Sequence, residues 1–356
     1  MRQYSALCAA FFSVSLLAAV PCNAQYAKDP VESITAVVTN STLDREGTPP
    51  FHLQATVKQP TDSAQGGERE GTIEYWWASP SQWRRELRTK GFHQVLVVNR
   101  NIRSQKDEGD YFPEWLRELA VALVRPVPIS TTVFRQGLSK AVILERSMRA
   151  GNGYRDVLQT NVDWDVHPQD SSHAKSSSFL VLQSQNAFLA SSNLLFVSGI
   201  GWSGFFEAPK SFHGQAIAQR VSIMNPKTTA TVQVLEDLKF AEQLFAPLTD
   251  ADKSPLETVV VSDEEFHAHM PATEPPVMPK VVGEGPSEVV LWADVVTDRE
   301  GHIREVSGPI KDTNAPAARD YFTGMMVTPF VRNDRPVQAV GRIFITFKIP
   351  RDLPQK

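Results

Sequence analysis

Apolar and polar side chains alternate over residues 51–58, Phe-His-Leu-Gln-Ala-Thr-Val-Lys. A period of two is that of a strand with one buried face. The pattern returns at 72–77, with Ile73, Tyr75 and Trp77 on one face. At 83–88, Trp83 and Leu87 oppose Arg84, Glu86 and Arg88. Residues 92–98 are nearly all apolar and read as a more central strand. Further strands are expected at 140–145, 154–160, 179–183, 193–198, 216–224 and 229–235. Gly151-Asn152-Gly153 is a turn signal between two of them. A single helix interrupts the series. Asp110 can cap it, Pro113 suits its first turn, and Trp115, Leu116, Leu119, Ala122 and Leu123 recur at helical spacing. Pro126 and Pro128 stop it. Residues 25–247 are therefore expected to form an antiparallel, β-rich domain with one amphipathic helix.

Residues 248–286 differ in kind. Pro255, Pro271, Pro275, Pro276, Pro279 and Pro286 interrupt regular structure, and Asp250, Asp252, Asp263, Glu264 and Glu265 add charge. This reads as a semi-extended acidic linker. A small domain follows at 287–350. Val289, Leu291, Ala293 and Val295 alternate in its first strand, and Asp298-Arg-Glu-Gly301 turns into a return strand at 302–306. Gly301 is free to take a positive φ there. Thr313 or Asn314 caps a helix reaching about Met326, and a last strand runs over 337–349. The order is strand, strand, helix, strand, and the class is α+β.

The first 24 residues read as an export signal: Arg2, an uncharged apolar stretch over 7–20, then Pro21-Cys22-Asn23-Ala24 for cleavage after Ala24. The alternative is an uncleaved N-terminus serving as a membrane anchor. Both cysteines, Cys8 and Cys22, lie in this leader, so a mature chain has neither disulfide nor thiolate chemistry. Loss of Arg2 takes the formal charge from −4 to −5. Such acidity disfavours a nucleic-acid partner, which would select a basic face. The expected location is the periplasm.

Two resemblances follow. The run from Val289 to Val306, Val-Val-Leu-Trp-Ala-Asp-Val-Val-Thr-Asp-Arg-Glu-Gly-His-Ile-Arg-Glu-Val, resembles the TonB C-terminal domain. So do Ala315-Pro-Ala-Ala318, Thr328-Pro329, Pro336-Val337 and Gly341-Arg-Ile-Phe-Ile-Thr-Phe-Lys348. The sequence departs from that family's pattern at Val327, where an aromatic is usual, and over 309–314. The resemblance implies a ββαβ domain that adds an extended peptide, or an envelope protein, to its sheet edge. The edge would be the closing strand, with Arg342, Phe344, Thr346 and Lys348. A proline at Ile345 would then remove a donor. The second resemblance rests on Gly71-Thr-Ile-Glu-Tyr-Trp-Trp-Ala-Ser-Pro80-Ser-Gln-Trp-Arg84-Arg-Glu86 and the strand after it. It is similar to the LolA/LppX-like lipoprotein-carrier fold. That implies an antiparallel half-barrel whose concave face holds a lipid or acyl chain. Ile73, Tyr75, Trp77, Trp83, Leu87, Trp115 and Leu119 would line the cavity.

No catalytic set is legible. Gly199-Ile-Gly201-Trp-Ser-Gly204 follows a strand, but no helix opens on its last glycine. Ser172-His-Ala-Lys175 sits in a polar serine-rich loop without a companion Lys-Thr-Gly. His267 and His269 lie in the linker and have no rigid scaffold for a metal. Asp163, Asp165 and Asp170 around His167 read as a turn. The expectation is a non-enzymatic exported protein with no metal and no cofactor. It would act by β-strand pairing with a partner, with lipid or lipoprotein carriage as the alternative.

Overall fold

A computed structural model describes residues 30–60, 68–127, 131–150, 153–162, 185–190, 193–198, 203–224, 227–239, 242–252, 255–272, 276–277, 281–282, 288–307, 315–348 and 351–352. The leader, the expected strand at 179–183, the Ser172–Lys175 motif and the acidic neighbours of His167 lie outside these residues.

Helix α1 (Pro30–Asn40) opens the described chain. Five strands follow as an up-and-down meander: β1 (Phe51–Pro60), β2 (Glu68–Ser79), β3 (Gln82–Thr89), β4 (Phe92–Asn99) and β5 (Ile102–Glu108). Helices α2 (Glu114–Val124) and α3 (Thr131–Leu138) interrupt. A second meander comprises β6 (Val142–Ala150), β7 (Gly153–Val162), β8 (Gln185–Ala190), β9 (Asn193–Ser198), β10 (Ser203–Phe212), β11 (Gln215–Met224) and β12 (Lys227–Asp237). The two halves join through antiparallel β1 and β12, giving one 12-stranded sheet ordered β5-β4-β3-β2-β1-β12-β11-β10-β9-β8-β7-β6. The sheet is open, with β5 and β6 as its ends.

The alternation at residues 51–58 is what the sheet uses. Phe51, Leu53, Ala55 and Val57 are buried, and the residues between them are not. The buried face packs on α2. Phe92 on β4 and Val221 on β11 belong to the same core as Trp115, Leu116 and Leu119 of the helix. Those strands lie five places apart, about 24 Å along a flat sheet. Residues 112–126 extend about 20 Å at roughly 1.5 Å per residue, so this segment crosses that width along its own length, with Phe112 on Phe92, Ala120 at Tyr75 and Leu123 beside Val221.

Two further helices form where the sequence reading placed none. Residues 30–40 carry Val31, Ile34, Thr35, Val37, Val38 and Thr39, a β-branched run. Ile34 and Val38, one helical turn apart, are buried against the sheet, and that burial outweighs local preference. Helix α3 buries Phe134 and Leu138 by the same spacing.

The expected linker is not irregular throughout. After a short 3-10 turn (Glu242–Phe245), the chain runs as a strap along the outer edge of β5. Asp252 donates its N–H to the Gln105 carbonyl, and its carboxylate accepts from the Asp107 N–H. Leu256 N–H bonds Asp107 Oδ2 at 2.7 Å, and Gln105 Nε2 bonds the Leu256 carbonyl. Strand β13 (Thr258–Val260) and helix α4 (Asp263–His269) then form within the expected linker. Ser262 caps α4 by accepting from the Glu265 N–H. The prolines fall outside both elements, which is why their density misled.

The C-terminal unit contains β14 (Val281–Val282), β15 (Glu288–Thr297), β16 (Ile303–Ser307), α5 (Ala315–Gly324), β17 (Phe330–Arg332), β18 (Arg335–Lys348) and β19 (Arg351–Asp352). Its sheet has the order β13-β18-β15-β16, with β13 parallel to β18 and β17 forming a hairpin with β18. Gly301 takes φ 89° at the expected turn. A second core gathers Ala293, Val295, Phe322, Ile343, Ile345 and Phe347, together with Phe266 of α4. Gly341 seats that helix, since a Cβ there would lie 2.6 Å from the Phe266 ring.

Candidate functional site

The expected cavity lining is core. Ile73, Tyr75, Trp77, Leu87, Trp115 and Leu119 are all buried, and Trp83 is half-buried against the same cluster. They do converge on the concave face, but α2 fills it. Phe51 stacks on Trp77 at 5.4 Å, and the Tyr75 hydroxyl donates to the Ala120 carbonyl of α2. Bulky aromatics along a strand signal burial, and alternation cannot distinguish a filled concave face from an empty one.

An apolar cleft does exist, on the other half of the sheet. Ala122, Leu123 and Pro126 at the end of α2 face Leu194 of β9, Phe206 and Pro209 of β10, and Val221 of β11. Its interior volume is about 10 Å³, room for one water. It sits beside a kink in β10, where Ala208 takes φ 50°. Pro209 has no N–H for the ladder. That proline inside a strand was the available sequence signal.

The α2 helix is held at both ends. At its C-terminus the Val124 carbonyl accepts from Leu43 N–H at 2.8 Å, and Arg125 pairs with Asp44 at 2.9 Å. At its N-terminus Pro113 supplies no side-chain cap. A carboxyl group from the C-terminal unit takes that place: Glu305 Oε1 on β16 accepts from the Glu114 N–H at 3.0 Å, and Trp115 N–H also points at it. Gln338 on β18 is fully buried. Its Oε1 accepts from Phe112 N–H at 2.8 Å, and its Nε2 donates to the Phe112 carbonyl at 2.7 Å. One amide side chain thus satisfies both main-chain groups of a residue in the other unit. Arg304 lies over the Tyr111 ring at 5.7 Å and within 3.6 Å of Asp110.

This junction is electrostatically loaded. Burial, then the charge of Glu114, pushes the Glu305 carboxyl up to about 8. Burial and Glu114 also raise Glu118 well above the ordinary carboxylate range. Arg117 pairs with Glu114 on the same helix, with Nε 2.7 Å from Oε2. Burial and Glu305 push Tyr111 up to about 12.

Among the described residues, the closing strand has an unpaired stretch on one side. On one side β18 pairs with β15 from Lys348↔Glu288 to Val340↔Val296. On the other side β13 covers only 338–340, and a single bridge joins Lys348 to Val277. Between them, no described strand pairs with residues 342–347 on that side. Gln338 N–H, Val340 C=O and Lys348 N–H all point outward to their partners. By alternation, the main-chain groups of Arg342, Phe344 and Thr346 point outward too. The Lys348 N–H is taken by the Pro276 carbonyl. Ile345 faces β15, so a proline there would break the sheet's own ladder rather than the free edge. The side chains of Arg342, Phe344 and Thr346 lie on the sheet face away from the core. Arg342 stacks over Trp292 at 3.9 Å and pairs with Asp294 at 2.8 Å, while Phe344 and Val290 are exposed.

Residues 199–202 of the glycine motif lie outside the described residues, and two groups in the C-terminal unit resolve as structure. His269 lies on α4, not in an extended segment, and stacks on Phe330 at 4.0 Å, with Nδ1 2.8 Å from the Thr328 carbonyl. Asp298, Glu300 and His302 cluster closely enough for a cation. However, buried Asp298 already accepts from the Glu300 and His302 N–H groups and from Arg304 Nε, the bonds of a hairpin turn.

No protein-family model matches the chain, and no curated protein matches it. Three solved structures are loosely similar. One is a domain from Vibrio parahaemolyticus described as outer membrane lipoprotein-sorting, with 11% identity, TM-score 0.37, and coverage of 60% of this chain and 95% of that one. A DUF1329 family protein from Desulfovibrio piger has 12% identity and TM-score 0.35, covering 62% and 98%. A LolA superfamily protein from Nitrosomonas europaea has 7% identity and TM-score 0.33, covering 60% and 97%. What the chain itself has is an α+β fold: an open antiparallel sheet packed on a helix, followed by a second small sheet.

Proposed function

We propose that the chain is a non-enzymatic carrier of the cell envelope, which takes a lipid or a lipoprotein's acyl chain against the concave face of its large sheet. The apolar cleft between α2 and β9–β11 carries this reading. Its walls are hydrocarbon apart from Ser41, whose hydroxyl donates to the Val37 carbonyl, and such a lining suits a methylene chain. With room for one water, the cleft is closed in the form described. Loading requires α2 to shift from β10. The leader read from the sequence would place such a carrier in the periplasm. Native mass spectrometry of the chain, purified gently from its own envelope, tests this. The expected result is a lipid-sized adduct that is lost in an Ala122→Phe variant, whose ring fills the cleft. A clean chain that also ignores a dansyl-labelled undecanoate in solution would overturn the reading.

A second reading concerns the small unit. The free edge of β18 favours pairing with an extended peptide through main-chain hydrogen bonds. The test belongs at Phe344, whose N–H points outward. Phe344→Pro is expected to abolish capture of strand-forming peptides from an envelope extract and leave the β15–β18 ladder intact. Unchanged capture by the folded variant would reject edge pairing.

A further inference from the structure

The α2 helix covers the apolar cleft, yet its first turn is built by residues from another part of the chain. Glu305 comes from 191 positions away and supplies the cap that Pro113 lacks. Gln338 comes from 226 positions away and clasps Phe112 by both main-chain groups. Phe112 in turn stacks on Phe92 of the large sheet at 4.9 Å, under the Arg85 guanidinium. Residues 110–114 are thus gripped between the sheet and the C-terminal unit. The rest of α2 is held by apolar packing, one Tyr75 hydrogen bond, the Leu43 tie and the Arg125–Asp44 pair at its far end. The polar grip on the N-terminal end is therefore a separate set of bonds. It can be released without touching the residues that line the cleft.

We propose that the C-terminal unit is a catch: Gln338 and Glu305 lock α2 down over the cleft, so the carrier opens only when that unit lets go. The inference rests on the carrier reading for its purpose, but the catch itself is a statement about α2. It assigns the small unit a regulatory role inside the chain. The lock is thermodynamically reciprocal. Whatever loosens Gln338 or Glu305 favours loading, and loading favours their release. Because Gln338 lies on β18, the strand with the free edge, a partner pairing with that edge would act on the same rod that holds Phe112.

Gln338→Leu in the full chain tests the catch, since leucine keeps the volume and removes both hydrogen bonds. Two quantities are read: hydrogen exchange of the amides at 116–124, and affinity for dansyl-labelled undecanoate. The expected result is about ten-fold faster exchange in α2, unchanged exchange in β1 and β15, and about ten-fold tighter probe binding. Faster α2 exchange with no probe bound by either form upholds the catch and rejects the carrier reading. Unchanged α2 exchange overturns the catch, whether or not the probe binds. If Gln338→Leu exchanges everywhere and has unfolded, Glu305→Ala is read on the same amides. That residue is half-buried, and its loss removes only the cap.

Discussion

Trp115→Ala is expected to lower the unfolding free energy of the N-terminal unit by about 3–5 kcal/mol, the cost of emptying a large buried site. Trp115 is 3% exposed and sits in the main core with Leu116 and Leu119. The side chain leaves a hole that neighbours on a sheet and a helix cannot both close. Urea unfolding followed by far-UV circular dichroism measures the loss. The size of the effect decides a question of function. A tryptophan lining an open, wet cavity would cost little to truncate, since water would fill the space. A loss below about 1 kcal/mol would mean that this half of the concave face is open after all, and that the ligand lies against Trp115 rather than beside Pro209.

The second large effect is on pH. Glu305 has its folded value raised from 4.5 to about 8. The folded chain therefore holds a proton there that the unfolded chain releases. Stability from this site is fully present below about 4.5 and is lost as pH rises through about 8. The groups facing it are Glu114, Arg117 and Glu118 of α2 and Arg69 of β2. Glu118 is shifted in the same direction and feels the Glu305 charge, so the two titrate together rather than independently. Urea midpoints at pH 6 and pH 9 should differ, with the higher pH less stable. Glu305→Gln keeps an oxygen to accept the Glu114 N–H and has no proton to lose. Its midpoints should be markedly flatter with pH. A variant as pH-dependent as the parent would place the titration elsewhere.

Periodicity made much of the fold legible. The alternation at 51–58, 72–77 and 83–88 marks real strands, and Trp115, Leu116, Leu119 and Leu123 mark a real helix. In each case the residue that repels water also fixes the register. The helix at 30–40 was illegible because β-branched residues form a helix there only when a sheet is present to bury Ile34 and Val38. The strap and α4 were illegible because proline density describes the connections on either side of them. The junction at Phe112 lay out of reach for another reason. Gln338 and Glu305 read as ordinary polar positions on strands, and only tertiary structure sets them against a helix start. Of the candidate edge, the residue types at 342–348 were visible. Which of them present main-chain donors outward depends on the pairing of β15, which periodicity leaves open by one residue.

The strap along β5 has a consequence for the order of events during synthesis. Its bonds to β4 and β5 join residues 144 to 151 positions apart. The first meander can therefore form and pair well before the residues that cover its outer edge have been made. Throughout that interval β5 offers unpaired main-chain groups to any other extended chain nearby. Ser104, Gln105 and Asp107 end up bonding the strap, and until it arrives they keep that rim hydrated. A chain halted before residue 245 would remain in this uncovered state, ready to pair with its neighbours.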